Sequence, residues 1–318
     1  MKIQRTLISS TLGLASVALA TMLVMQSHPA GAAHAKKAKK HLLVVTVTTG
    51  FPHDSRPTSE KVITEIGERT GEWDTDVASA DNNLSVEEKG KILAAKMSPE
   101  ALKKYDAVVF SNTTGVLPLP DPQGFLDYIK AGHGFAGMHS ASDTFHEWPG
   151  SKVQPSEYID MLGGEFLTHH GQTSVDAHVE DAMHPATREL LQAASKTTPA
   201  ASGDIAPKGK SFLVGKTWKI YDEIYLLKNN DRTKVHVLLS MDKYPNDGSP
   251  DANKPGDHLL SWSKSYGAGR VFYTELGHNI ETWQDPLYQA HVQGGIEFAL
   301  GISKGSTKLS APLTASAK

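Results

Sequence analysis

No cysteine occurs anywhere in the 318-residue chain. That excludes disulfide staples, thiolate metal ligands and any cysteine nucleophile. Concentrated positive charge is missing too. A formal net charge of -3 does not make the basic face that nucleic-acid binding needs. The one basic run (Lys36, Lys37, Lys39, Lys40) reads as a solvated leader. There is no H-E-x-x-H pair and no internal repeat. The Gly-rich stretch GAGR (267–270) precedes a strand, the wrong setting for a phosphate loop, so no nucleotide cofactor is expected. What remains is ordinary globular material, 39% hydrophobic and 21% charged, long enough for a sizeable core.

The N-terminus is informative. Lys2 and Arg5 precede an uncharged, mostly apolar run from Leu7 to Met25, and Ala33-His34-Ala35 supplies an A-x-A site. Residues 1–35 therefore read as a signal peptide and predict a periplasmic, cell-surface or extracellular protein. The apolar run exceeds a typical signal core, so an uncleaved anchor is the alternative, and the one route to a membrane.

Beyond the leader, HLLVVTVTTG (41–50) is a continuous β-branched run, the pattern of a strand covered on both faces. Helical spacing in 58–70, strands around 73–79 and 105–112, a helix over 120–132 and a strand at 134–141 follow in alternation. That order predicts βαβ units and an α/β doubly wound fold with a mostly parallel sheet. Later strands are expected at 173–181, 234–242 and 269–278, with a closing helix over 286–300. The stretches 195–211 and 244–257 read as surface insertions, and 303–318 as a disordered tail.

Ligands of open α/β sheets bind beyond the carboxyl ends of the strands. The chemically capable residues that follow predicted strands are His53, Asp54 and Ser55, then Asn112, then His139, Ser140 and Asp143, then Glu275 and His278. GMHSASDTF (137–145) has the form of a nucleophile elbow, yet it presents His139 in place of Ser or Cys. Imidazoles with carboxylates suit zinc and similar divalent metals, and His53, His139, His170 and His278 are the expected ligands. The competing chemistry uses His139 as general acid or base, with Asp54 and Asp143 as bases or orienting groups. The plainest alternative is a tight turn whose His caps a helix. His169 is a second candidate beside His170, while His184, before a proline at a helix entrance, reads as structural. Trp148, Tyr158, Trp283 and Asn112 are the expected substrate contacts, the aromatics because flat sugar faces stack on rings.

GFPHDS, GFAGMHSASDTFHEWP, YIDMLGGEFLTHH and HLLSWSKSYGAGRVFYTELGHNIETWQDP, in that order, resemble the ThuA-like (trehalose utilisation) family over residues 41–302. The resemblance implies a flavodoxin-like, class I glutamine amidotransferase-like three-layer sandwich. It also implies a link to trehalose-like disaccharides and their 3-keto derivatives. The amidotransferase nucleophile falls where this chain has His139, so glutaminase activity is not expected. Pro52 stands where such proteins often carry a basic residue. The expected function is an exported, possible-oligomer carbohydrate enzyme with a His-rich site for a divalent metal, zinc first. A non-catalytic sugar-binding protein is the alternative, and a structural module using the sheet edge is a third.

Overall fold

A computed structural model of the chain describes residues 38–146, 156–196 and 205–313. The expected signal segment 1–35 and Trp148 lie outside the described residues. The strands are β1 Lys40–Val45, β2 Trp73–Ala78, β3 Ala107–Ser111, β4 Gly134–Met138, β5 Glu165–His169, β6 Thr173–Val179, β7 Phe212–Val214, β8 Thr217–Asp222, β9 Tyr225–Lys228, β10 His236–Lys243, β11 Pro255–Tyr266 and β12 Gly269–Thr274. The helices are α1 Arg56–Thr70, α2 Val86–Met97, α3 Pro99–Leu102, α4 Pro122–Lys130, α5 Ser156–Leu162, α6 Pro185–Lys196, α7 Ile280–Gln284 and α8 Pro286–Ala299.

One ten-stranded sheet runs β2-β1-β3-β4-β12-β11-β10-β6-β8-β7, and β5 pairs with β9 in a small second sheet. Consecutive side chains of β1 alternate between two cores, as pleat geometry requires. Leu42 and Val44 face Val62, Ile63 and Ile66 of α1 and Ile296 of α8. Leu43 and Val45 face Leu93 of α2, Phe125 and Ile129 of α4 and Leu162 of α5. Helices thus cover both faces, and the α/β expectation holds.

The sheet is parallel only over β2-β1-β3-β4-β12. The remaining five strands run antiparallel to their neighbours. The mostly parallel sheet expected from sequence is therefore mixed. The cause is local: Tyr266 pairs with Gly269 across a two-residue turn, which forces β11 to reverse. Two further expectations change. The stretch 244–257 is not all insertion, because β11 starts at Pro255 and Tyr244 is buried, its hydroxyl donating to the Ile224 carbonyl at 2.9 Å. Nor is the described part of the tail disordered: Ser310 N–H donates to Val235 O at 2.9 Å and Ser263 Oγ donates to Ser306 O at 2.8 Å. Its low-complexity sequence lays backbone along β10 and β11, a pairing that composition does not encode.

α8 closes one face through a buried titratable group. His291 is wholly buried, with Nδ1 3.2 Å from Ala186 O and its ring against Trp218 and Phe272. Burial pushes its pKa down from 6.5 to about 4. The unfolded imidazole therefore takes up a proton between those values while the folded one does not, so stability falls as pH drops through that window. Denaturant melts from pH 7 to pH 4.5 should show this loss. The His291→Gln variant should have a flatter profile, with a difference approaching about 3 kcal/mol at the acid end. An identical slope in wild type and variant would refute the assignment.

Candidate metal centre

The site is assembled at the carboxyl edge of the sheet. After β1 the chain turns at Gly50 and delivers His53, whose loop is clamped by buried Arg56: Nη1 donates to Thr46 O at 2.8 Å and Nε to His53 O at 3.2 Å. After β12 come Glu275, Leu276, Gly277 and His278. After β8 comes Glu223. β8 lies four antiparallel pairings from β12, an even number of reversals, so both strands point the same way and end at the same edge.

His139 leaves β4 in the elbow conformation. Met138 is extended, His139 has φ 50°, and a 3-10 turn over His139–Asp143 follows. A left-handed non-glycine residue is strained, roughly 1–2 kcal/mol, and persists only where its surroundings fix it. Here Tyr273 Oη donates to His139 O at 2.8 Å, and His139 Nδ1 lies 2.8 Å from Glu275 O. A carbonyl can only accept, so Nδ1 carries a proton and Nε2 is the ring atom turned into the site. Backbone carbonyls commonly hold metal-ligating histidines in this way.

His53, His139, Glu223 and His278 each offer one ligand atom, all within 4.8 Å of one another. His139 Nε2 lies 3.1 Å from His278 Nδ1 and 3.5 Å from Glu223 Oε2, which is 3.1 Å from His278 Nδ1. Tetrahedral zinc with bonds near 2.1 Å separates its ligands by about 3.4 Å, so three imidazoles and a carboxylate at these spacings fit such an ion in number, type and size. Ser140 Oγ lies 3.3 Å from His53 Nδ1. Burial, and then the neighbouring His139 and His278, push the His53 pKa down to about 2, so its ring is neutral and able to ligate. Burial works to raise Glu223, but its contacts with the His139 and His278 rings outweigh it and hold the carboxyl well below its usual range. Burial lowers His278, and the Glu223 carboxylate more than reverses this, raising it.

Tyr225, at the start of β9, places Oη 2.7 Å from His139 Nε2, and its backbone N–H donates to Glu275 Oε1. Burial, then the charge of Glu223, raises its pKa well above 10, which keeps the phenol protonated. Two more buried acids brace the centre. Asp222 accepts from Gly277 N–H at 2.8 Å and Asn279 Nδ2 at 3.2 Å. Burial raises both Asp222 and Glu275, the latter well above the usual carboxylate range.

Of the residues expected from sequence, His53, His139 and His278 come together. Asp54 is exposed and lines a cavity of about 340 Å³ beside His53 and His278. Others go elsewhere. His170 turns away to Asp251, Nε2 to Oδ2 3.1 Å, while adjacent His169 meets Glu223 Oε1 at 3.1 Å. His169, the last residue of β5, is the strand partner of Tyr225, whereas His170 lies beyond the strand. Asp143 does not orient His139; it pairs with buried His146 at 2.6 Å. Tyr158 and Trp283 are buried and donate to Ala141 O at 2.8 Å and Gly277 O at 2.9 Å, so neither meets a ligand. Asn112 is a brace, not a substrate contact. Held at φ 54°, its buried amide donates to Ser55 Oγ at 2.8 Å and Gly277 O at 2.9 Å, tying three strand-end loops together. His184 is buried, with Nδ1 accepting from Ala186 N–H at 3.3 Å, as a structural residue would be. Glu223 and Tyr225 were missed. The signal for Glu223 was two acids closing the alternating strand TWKIYD, within YDEIY.

The family described as ThuA, trehalose utilisation, matches residues 41–199 and 210–299. A ThuA-like protein from Parabacteroides merdae superposes with a TM-score of 0.57 at 17% identity, over 87% of this chain and 94% of its own. At that identity the likeness speaks to fold alone. A cytoplasmic protein from Salmonella typhimurium has a TM-score of 0.45 at 13% identity, over 81% of this chain and 98% of its own. A β-galactosidase from Bacillus circulans sp. alkalophilus has a TM-score of 0.43 at 11% identity, over 82% of this chain and 30% of its own. No curated protein matches the chain in sequence.

Deleting the Asn112 amide should loosen the centre. Asn112→Gly keeps the left-handed backbone without strain and removes both hydrogen bonds. It should cost about 1–3 kcal/mol of unfolding free energy, read from denaturant melts. A loss below about 0.5 kcal/mol would show that the tie contributes nothing.

Proposed function

Because the chain belongs to the ThuA, trehalose utilisation, family, we propose that it is an exported enzyme acting on a disaccharide or its 3-keto derivative. The reaction is placed at the cluster of His53, His139, Glu223 and His278. The observation that carries this reading is the convergence itself. Four donor side chains from four separate strand ends lie within 4.8 Å, most of them buried, with an open cavity alongside. A structural module has no need to set two buried imidazoles and a half-buried third against a buried carboxylate. The signal-like segment 1–35 supports export. The parallel strands run in the order 2-1-3-4-12, which supports the flavodoxin-like, amidotransferase-like architecture. The residue at the elbow, His139, fits no glutaminase chemistry.

The four residues would hold a divalent cation, zinc first on donor type, which would supply Lewis acidity to a sugar carbonyl or hydroxyl. The protein's own groups do the rest. Tyr225, kept protonated, stands with its hydroxyl 2.7 Å from His139 Nε2, so with that nitrogen engaged by a cation the hydroxyl is free to donate to a sugar oxygen. Asp54 stands in the cavity wall as the base, accepting a proton from a sugar hydroxyl or from the acidic carbon next to a keto group. His169, half-exposed on Glu223, fixes the orientation of that carboxylate. Base and polarised carbonyl together suffice for elimination or isomerisation without a covalent nucleophile.

Elemental analysis of the purified protein should find about one zinc or similar divalent ion per chain, removable by chelation. Glu223→Gln should lower metal content at least tenfold, and His139→Ala should abolish turnover of 3-keto-trehalose while leaving the far-UV dichroism intact. Metal-free protein with full turnover would overturn the assignment. Sugar binding with unaltered ligand after long incubation would favour a non-catalytic binding protein.

A further inference from the structure

The lining of the cavity beside the centre is of two chemical kinds. Lys208 and Glu281, paired at 3.3 Å, contribute polar groups with Asn279 and Gln172. Phe51 and Ile280 supply apolar surface. Phe51 is 63% exposed, an unusual state for a ring so close to a buried cluster. Its backbone is nonetheless held. The Phe51 carbonyl accepts from Thr114 Oγ1 at 2.9 Å and from Thr48 Oγ1 at 3.4 Å, and Pro52 restricts the next residue. The ring meets His53 edge-on, with centroids 4.9 Å apart and planes at 75°. One face of this ring is therefore presented to the cavity rim from a fixed base, directly beside a candidate ligand.

An exposed aromatic ring sharing a cavity lining with hydrogen-bonding groups matches a pyranose. Its axial C–H bonds form an apolar face, and its hydroxyls project around the edge. Among the described residues, the other aromatics expected to stack, Tyr158 and Trp283, are buried with their polar atoms engaged. We infer that Phe51 is the stacking platform for one sugar ring of the substrate, with Lys208, Glu281 and Gln172 receiving its hydroxyls, so that the ring next to it in the disaccharide is set over His53 and His278. The inference rests on the carbohydrate reading above and adds the residue that sets the pose. Phe51 binds and positions; it takes no part in bond making.

Isothermal titration with trehalose and with 3-keto-trehalose, on metal-replete wild type, Phe51→Ala and Phe51→Trp, tests this. Because the ring is exposed, all three should melt at the same temperature and carry the same metal content. Phe51→Ala should weaken binding by about tenfold, and Phe51→Trp should restore it to within about threefold. In turnover, the alanine variant should raise KM with kcat within about twofold, the signature of lost positioning affinity and not lost chemistry. Wild type that binds either sugar while Phe51→Ala binds it equally well would overturn this inference alone. Wild type that binds neither would overturn the carbohydrate reading, and the platform with it.

Discussion

The exit of β12, the four residues Glu275 to His278, is the constraint on which the rest of the site depends. Glu275 O fixes the His139 tautomer, and its carboxyl receives the Tyr225 N–H. Gly277, at φ 119°, gives its N–H to Asp222 and its carbonyl to Asn112 and Trp283. His278 then meets both His139 and Glu223. A side chain at Gly277 would strike the Tyr288 hydroxyl, its Cβ coming near that oxygen, so the backbone can pass only as glycine. One short turn thereby couples the loops after β1, β3, β4 and β8, and none of them can move alone.

The electrostatics follow from that coupling. Three carboxyls, Asp222, Glu223 and Glu275, are buried around three imidazoles. Burial alone would neutralise all the acids, and for Asp222 and Glu275 it raises the pKa, most strongly for Glu275. Glu223 behaves differently because His139 and His278 stand within hydrogen-bonding range of it. The centre is thus built around one stabilised anion facing three imidazoles, a donor set of the kind that holds a cation. With His53 held neutral and His139 Nε2 aimed inward, the nitrogen side is already prepared.

Much of this was legible in the sequence, for a definite reason. In the parallel half, every strand that points one way delivers its following loop to one edge, so residue order along the chain predicts proximity in space. His53, His139 and His278 were found by that rule. Glu223 was not, because the rule lapses in an antiparallel half, where successive strands end at opposite edges. Only the number of reversals between β12 and β8 brings Glu223 back to the correct side, and that number is not visible without the pairing. The aromatics failed differently. Trp and Tyr beside polar loops serve equally to stack ligands or to cap buried carbonyls, and here Trp283 and Tyr158 do the second. The choice between His169 and His170 turned on where β5 ends, which sequence leaves undetermined when both neighbours are histidine.

The elbow explains why a turn of the kind that can present a nucleophile here serves a centre made from several strands. A serine or cysteine at such a turn places its reactive atom immediately above the backbone, so chemistry stays at the turn itself. An imidazole reaches further, and with Nδ1 tied to Glu275 O its Nε2 is carried away from β4 into the space between strand-end loops. That displacement requires partners from other strands, because no group on the turn is positioned to complete the set: Asp143 is engaged with His146, and Ser140 lies on the His53 ring. A histidine at the elbow therefore carries its donor atom to where β1, β8 and β12 can each contribute another, and the strain at φ 50° is held in place by the carbonyl that fixes the tautomer.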